Sequence, residues 1–254
     1  MKDKVLKRAE ELVSMLGLHD KEYDVIKKNL SEEPVISVPD IFYVKNAIDH
    51  TCLSFNASEK DIFNLCREAD RYKFKAVCIN PVWIKTAFEE RKKLNGDFLI
   101  ATVIDFPLGA STETARKGET DQALTDGADE LDLVMSTGLL KSGKLKECYR
   151  SIKCVAEKGG YLKVILETSE LEVSEKIDAA LLSVFAGAQM LKTSTGFLGK
   201  ATIEDVKLLR MIAGRDIGVK AAGGIRDKKS VLEMIGAGAD RIGCSSSVSI
   251  VESW

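Results

Sequence analysis

The sequence predicts an α/β fold: a (β/α)8 barrel over residues 38–254 with a helical extension over residues 1–37. Three observations carry this. Eight short β-rich runs recur about 22 to 33 residues apart, which suits strand, loop and helix units in a barrel of ~250 residues. Helix-like stretches fill the gaps, and several close in glycine or in an Ala-Gly or Asp-Gly pair, as helix C-caps do. The first strand ends in DHTCLS, whereas a doubly wound open sheet, the competing arrangement, wants a glycine-rich turn there.

The opening MKDKVLKRAEELVSMLGL sets Val5, Leu6, Ala9, Leu12, Val13 and Leu16 at helical spacing with charges opposite. It lacks the unbroken apolar core of a signal peptide. Its expected role is to cover the barrel bottom or an apolar face. Strands are expected at 47–51 (AIDHT), 75–80 (KAVCIN), 98–106 (FLIATVIDF) and 130–135 (ELDLVM). Four more follow at 161–168 (YLKVILET), 188–194 (AQMLKTS), 217–222 (IGVKAA) and 240–246 (DRIGCSS). Helices are expected at 58–72, 114–127, 144–160 and 172–187. No Pro/Gly/Ser-rich linker divides the chain.

Composition narrows the function classes. With 45% hydrophobic residues, 30% charged residues and a net charge of −2, the chain reads as an ordinary globular protein with no basic face for nucleic acid. No apolar run approaches the roughly 20 residues that span a bilayer. The six cysteines form no C-x-x-C pair and read as free, mostly buried thiols, with the cytoplasm as the expected location. Two histidines, far apart in sequence, leave little for a zinc or iron site, so no metal and no cofactor is expected.

Strand C-terminal ends converge on the active-site face of such a barrel. Those ends supply Asp49, Cys78, Asp132, Glu167, Lys192 and Lys220. Lys192, in GAQMLKTSTGF, alone reads as a snorkelling side chain, and Lys220 alone as half of a salt bridge with Asp49 or Asp132. Together, on adjacent strand ends, they repel each other at a cost that only a function returns. A nucleophilic amine must be neutral, yet at a pKa near 10.4 only about one lysine in 2,500 is neutral at pH 7. Desolvation or a neighbouring cation lowers that pKa. Asp132 shares one strand face with Glu130 and Val134, and serves as proton carrier, charge balance or both. After strands seven and eight, Gly223 and Gly224 of AAGGIR and Ser245 and Ser246 of GCSSS fit a phosphate cradle. The TSTG turn, with Thr195 and Gly196, adds a third edge. The set suits imine chemistry on a phosphorylated carbonyl substrate.

In order, IDHT, VCINP, TVIDFPLGAST, GADELDLVM, KVILET, LKTSTGF, KAAGGIR and RIGCSSS resemble the motif set of the deoxyribose-phosphate aldolases over about residues 45 to 252. The resemblance implies a cytoplasmic, metal-independent class I lyase of deoxyribonucleotide catabolism. Its partners would be small molecules: 2-deoxy-D-ribose 5-phosphate, acetaldehyde and glyceraldehyde 3-phosphate. It implies Lys192 as the Schiff-base residue, Lys220 as the lysine that lowers its pKa, and Asp132 as the proton shuttle. Asp49 and Cys78 would line the substrate pocket; Thr195, Gly196, Gly223, Gly224, Ser245 and Ser246 would complete substrate and phosphate binding. A homo-oligomer is an expectation by analogy alone.

Three positions depart from that pattern. Asp105 stands where a small or neutral residue is usual and, pointing inward, would alter affinity or the local pKa balance. Cys244 replaces a threonine and Ser247 a glycine beside the phosphate loop. Lys163 and Glu167 share strand parity and are expected to pair inside the barrel. Cys78 also reads as a packed small residue, His50 as structural and Trp83 as packing on a helix. The chain stops at Trp254, so no long C-terminal tail is expected over the site. Two other readings stay open: a Schiff-base aldolase with a different substrate, and a binding or regulatory protein on a barrel that has lost turnover.

Overall fold

The computed structural model describes residues 1–32 and 39–254. Eight parallel strands close into a barrel in sequence order. They are β1 (Ile48–Cys52), β2 (Ala76–Ile79), β3 (Leu99–Ile104), β4 (Glu130–Val134), β5 (Tyr161–Ile165), β6 (Met190–Lys192), β7 (Gly218–Ala222) and β8 (Arg241–Cys244). β8 returns to β1 with Ile48 opposite Ile242 and Asp49 opposite Gly243. All eight expected strands are present, and most end earlier than their apolar runs.

Alternation along each strand separates two environments. Outward residues such as Leu131 and Leu133 of β4 and Leu162 and Val164 of β5 join the apolar layer under the helices. Inward, Ala76, Cys78, Ala101 and Val103 form a small apolar group on the β2–β3 side. The β4–β8 side carries buried charges instead: Glu130, Asp132, Lys163, Lys192, Lys220 and Arg241.

The helices start and stop where local chemistry dictates. α4 (Glu59–Tyr72) opens with a capping box between Ser58 and Asp61. The side chain of Thr112 caps α6 (Glu113–Asp126), and Gly127 ends it at φ 105°. α8 (Leu145–Ala156) stops short of 160, because Gly159 and Gly160 adopt positive φ. α5 (Ile84–Leu94), α7 (Thr137–Lys141) and α11 (Lys228–Gly236) belong to the same outer ring, and α9 (Val173–Ala186) and α10 (Ile203–Ala213) flank β6.

At the N-terminus, α1 (Lys2–Leu16) and α2 (Asp20–Ser31) pack against the outer helices α9 and α10. They bury Val5, Ala9, Leu12, Val13, Ile26 and Leu30 in the same apolar layer as the barrel helices. Arg8 clamps Asp178 of α9 through two bonds of 2.6 and 2.9 Å, and Asn29 donates to the carbonyl of Ile212 at 2.9 Å. The division expected between residues 37 and 38 lies outside the described residues. α3 (Ile41–Ala47), capped by Asp40, leads directly into β1.

Candidate active site

Parallel register sets the charged residues side by side. Asp132 lies opposite Lys163 of β5, Lys192 opposite Lys220, and Lys220 opposite Arg241. Inside the barrel these side chains converge on two carboxylates. Asp132 Oδ2 accepts from Lys192 Nζ at 2.7 Å and from Lys220 Nζ at 2.8 Å, while its Oδ1 accepts from Lys163 Nζ at 2.7 Å. Asp49 pairs with Lys220 and with Arg241, whose Nε donates to Oδ1 at 2.7 Å. Glu130 completes the set, 2.7 Å from Lys163 and at 2.9 and 3.0 Å from Arg241.

Charge accounting within this network singles out one residue. Asp49, Glu130 and Asp132 are matched by Lys163, Lys220 and Arg241, leaving Lys192 as the surplus cation. The titration shifts run the same way. Burial, opposed by Asp132 and reinforced by the Lys220 ammonium, holds the Lys192 pKa below its ordinary value. For Lys220, burial is outweighed by the attraction of Asp132 and Asp49, and its pKa is raised. Lys163 is likewise held charged: burial lowers its pKa, but Asp132, Asp49 and Glu130 together outweigh that. Burial would raise the Asp132 pKa, but the three lysines drive it well below the carboxylate range. The interior thus pairs one amine biased toward neutrality with an ionised carboxylate and a fixed ammonium.

Lys192 forms the floor of a cavity of about 390 Å³ at the C-terminal ends of the strands. The cavity walls come from Thr51–Ser54 at the end of β1 and in its loop, Thr195–Phe197 after β6, Ala222–Arg226 at the end of β7 and in its loop, and Gly243–Ser245 of β8 and its loop. Gly223 and Gly224 adopt φ 104° and 75°. A Cβ on Gly223 would meet Gly199 O at 2.8 Å, and one on Gly224 would meet Lys200 Cγ at 2.7 Å, so this loop needs glycine for both conformation and space.

Of the residues singled out from sequence, Lys192, Thr195, Gly196, Gly223, Gly224 and Ser245 line the cavity. Asp132 and Lys220 lie beneath it, joined to Lys192 through the shared Asp132 oxygen. Asp49 and Cys78 do not line it: both are fully buried, Asp49 in the ion network and Cys78 in the apolar group below. Ser246 is not among the lining residues; it precedes α12 (Ser247–Glu252), its carbonyl accepting the Ile250 N–H at 3.1 Å. The expected Lys163–Glu167 pair does not form, because Lys163 is taken by Asp132 and Glu130 and Glu167 accepts the Thr195 N–H. Lys163, Glu130 and Arg241 were not singled out for the site. Their inward parity on β4, β5 and β8 was the available signal.

The departures resolve structurally. Asp105, at φ 53°, points away from the cavity and pairs with the fully buried Arg116 at 2.7 Å. Arg116 also donates to the carbonyls of Gly109 and Ser151 and to the Ser136 hydroxyl. Asp105→Ala is expected to destabilise the fold by about 3 kcal/mol by stranding that guanidinium, with KM unchanged, as denaturant melts and steady-state kinetics would show. Cys244 and Ser247 touch each other, Sγ to Oγ at 3.3 Å. The Ser247 hydroxyl faces His50 Nδ1 at 3.0 Å, away from the substrate cavity. His50 in turn meets Glu68 at 2.7 Å, which ties β1 to α4.

Comparison with known proteins agrees with this geometry. A family model described as DeoC/LacD family aldolase matches residues 43–244. The deoxyribose-phosphate aldolase of Thermococcus gammatolerans is 50% identical over 210 residues, 81% of this chain and 93% of its own. That of Brevibacillus brevis is 48% identical over 207 residues, 80% and 93% respectively. Among solved structures, a tetrameric deoxyribose phosphate aldolase from Aeropyrum pernix superposes with a TM-score of 0.79 at 33% identity, covering 91% of this chain and 96% of that one. With its eight-stranded barrel and its buried lysine pair sharing one aspartate, the chain belongs to the DeoC/LacD family of aldolases.

Proposed function

We propose that the chain is a deoxyribose-phosphate aldolase working through an imine on Lys192. The observation that carries the reading is the Lys192 amine: surplus to the charge balance, depressed in pKa, and exposed only to the floor of the cavity. The neutral amine attacks the C1 carbonyl of open-chain 2-deoxy-D-ribose 5-phosphate. The carbinolamine loses water to give a protonated imine, which acts as the electron sink. The C3 hydroxyl gives up its proton, the C2–C3 bond breaks toward the imine, and glyceraldehyde 3-phosphate leaves. Protonation of the remaining enamine at C2 and hydrolysis release acetaldehyde and return the amine. Asp132, in contact with the amine, carries protons for these steps. Lys220 stays cationic beside it and disfavours protonation of the free Lys192 amine, which keeps that amine available for attack.

The phosphate is assigned to the glycine loop after β7, with Gly196 and Ser245 at its edges, where backbone N–H groups approach closely. Asp49 acts by holding Lys220, and Cys78 by packing beneath the amine. Assembly into an oligomer of identical chains belongs to the reading, supported by the tetrameric Aeropyrum pernix relative. So does a cytoplasmic location, which suits six free cysteines. Among the described residues no helix is long and apolar enough to cross a membrane.

Acetaldehyde release from 2-deoxyribose 5-phosphate and from unphosphorylated 2-deoxyribose tests the proposal. We expect kcat/KM to be at least ~100-fold lower without the phosphate. Equal rates would remove the phosphate assignment, and no release from folded protein would remove the activity.

A further inference from the structure

Glu167 has no part in the chemistry above. It follows β5 at φ 54° and ψ 57°, the left-handed region, and its side chain is buried. Oε2 accepts the Thr195 N–H at 3.1 Å. Oε1 is buried with no hydrogen-bond partner among the described residues. Glycine takes this backbone conformation without steric strain, and glutamate does not. The orphan oxygen adds a second cost.

Neither cost is needed to hold the rim of the barrel there. Backbone bonds already join it, from Leu166 N–H to Lys192 O at 2.9 Å and from Thr168 N–H to Thr193 O at 3.0 Å. What the side chain alone supplies is the grip on Thr195. The Thr195 hydroxyl in turn accepts the Phe197 N–H at 3.1 Å, and residues 195–197 form the cavity wall just after Lys192. That wall lies against the β7 loop: a Cβ on Gly196 would sit 3.6 Å from Gly223 Cα.

We propose that Glu167 is a positioning residue whose carboxylate, by holding the Thr195 N–H, sets the Thr195–Gly196 turn against the Gly223–Gly224 loop and so governs how tightly the phosphate end of the substrate is held. The inference rests on the reading of this cavity as a sugar-phosphate site. Lys192 keeps its place through β6 and Asp132, so the chemical step is spared.

Glu167→Gly and Glu167→Gln test the assignment. Glycine relieves the left-handed strain while deleting the grip, so its melting temperature should not fall. Its KM for 2-deoxyribose 5-phosphate should rise about 10-fold, with kcat within about 3-fold of wild type. Glutamine keeps an acceptor oxygen for the Thr195 N–H and should restore KM to within about 2-fold. An unchanged KM in Glu167→Gly, or a Glu167→Gln variant as impaired as the glycine one, overturns the proposal. Calorimetric titration with inorganic phosphate separates this inference from the parent reading, because it needs no turnover. A wild type that cleaves no sugar phosphate but binds phosphate about 10-fold tighter than Glu167→Gly removes the function and keeps the positioning role. Equal or absent phosphate binding removes the role.

Discussion

Replacing Lys192 by methionine is expected to lower aldolase turnover by at least ~10⁴-fold, since no other group supplies the nucleophile, while leaving the fold at least as stable as wild type. The second half follows from the charge balance. Lys192 is the fourth cation facing three carboxylates, so removing it relieves an unmatched buried charge. The sign of the pH effect is fixed. The folded pKa of Lys192 lies below its ordinary value of 10.5, so the cost of burying the ammonium is full below the folded pKa. It fades as pH rises through that value toward 10.5, where the unfolded chain still binds the proton. The stability gap between the methionine variant and wild type should therefore close with rising pH. Activity should respond at lower pH: kcat/KM of the wild type should climb as pH approaches the folded pKa from below and level off above it, as the amine is freed. Acetaldehyde followed by borohydride should leave an ethyl group on Lys192, located by peptide mass. Turnover surviving in the variant, or an adduct on another lysine, would sink the assignment.

Asp132→Asn should be the most damaging conservative change in the interior. The carboxylate takes one hydrogen bond each from Lys163, Lys192 and Lys220, all buried. Asparagine keeps the shape but removes the one negative charge the three share. That leaves Lys163 to Glu130, Lys220 to Asp49 and Lys192 with no carboxylate partner, at an expected cost of about 3–5 kcal/mol. Loss of the proton carrier should lower kcat by a further ~10²–10⁴-fold. The three lysines hold the wild-type pKa well below 3.8. The stabilisation it brings is thus complete above the unfolded value near 3.8 and is lost as pH falls from there toward the folded one. Urea midpoints of the two proteins should converge on acidification, and a gap that persists at low pH would mean that charge is not what Asp132 contributes.

The barrel was legible because each strand shows one apolar face, as in Leu131 and Leu133, and because glycines such as Gly127 mark helix ends. Strand lengths were less so. The apolar run KVILET continues past Ile165, but Glu167 turns left-handed, and a non-glycine residue in that conformation leaves no mark in the sequence. The lysine pair and Asp132 could be placed on one interior face by parity. Depth could not be, because the level of a residue along the barrel axis depends on strand stagger. Hence Asp49 has the expected inward direction and lies a layer too deep to line the cavity. The direction of Asp105 was not legible because its partner, Arg116, sits on a charge-rich helix and reads as an ordinary surface residue until the fold buries it.

The bonds of Arg241 bear on how this chain is made. Asp49 and Glu130 are made before Arg241, and the guanidinium that bridges the two belongs to the last strand. Until residue 241 has left the ribosome, a partial barrel would hold two buried carboxylates short of that shared partner. Half-closed intermediates are thereby penalised. The nascent chain should stay protease-sensitive until β8 is released, then close in one cooperative step.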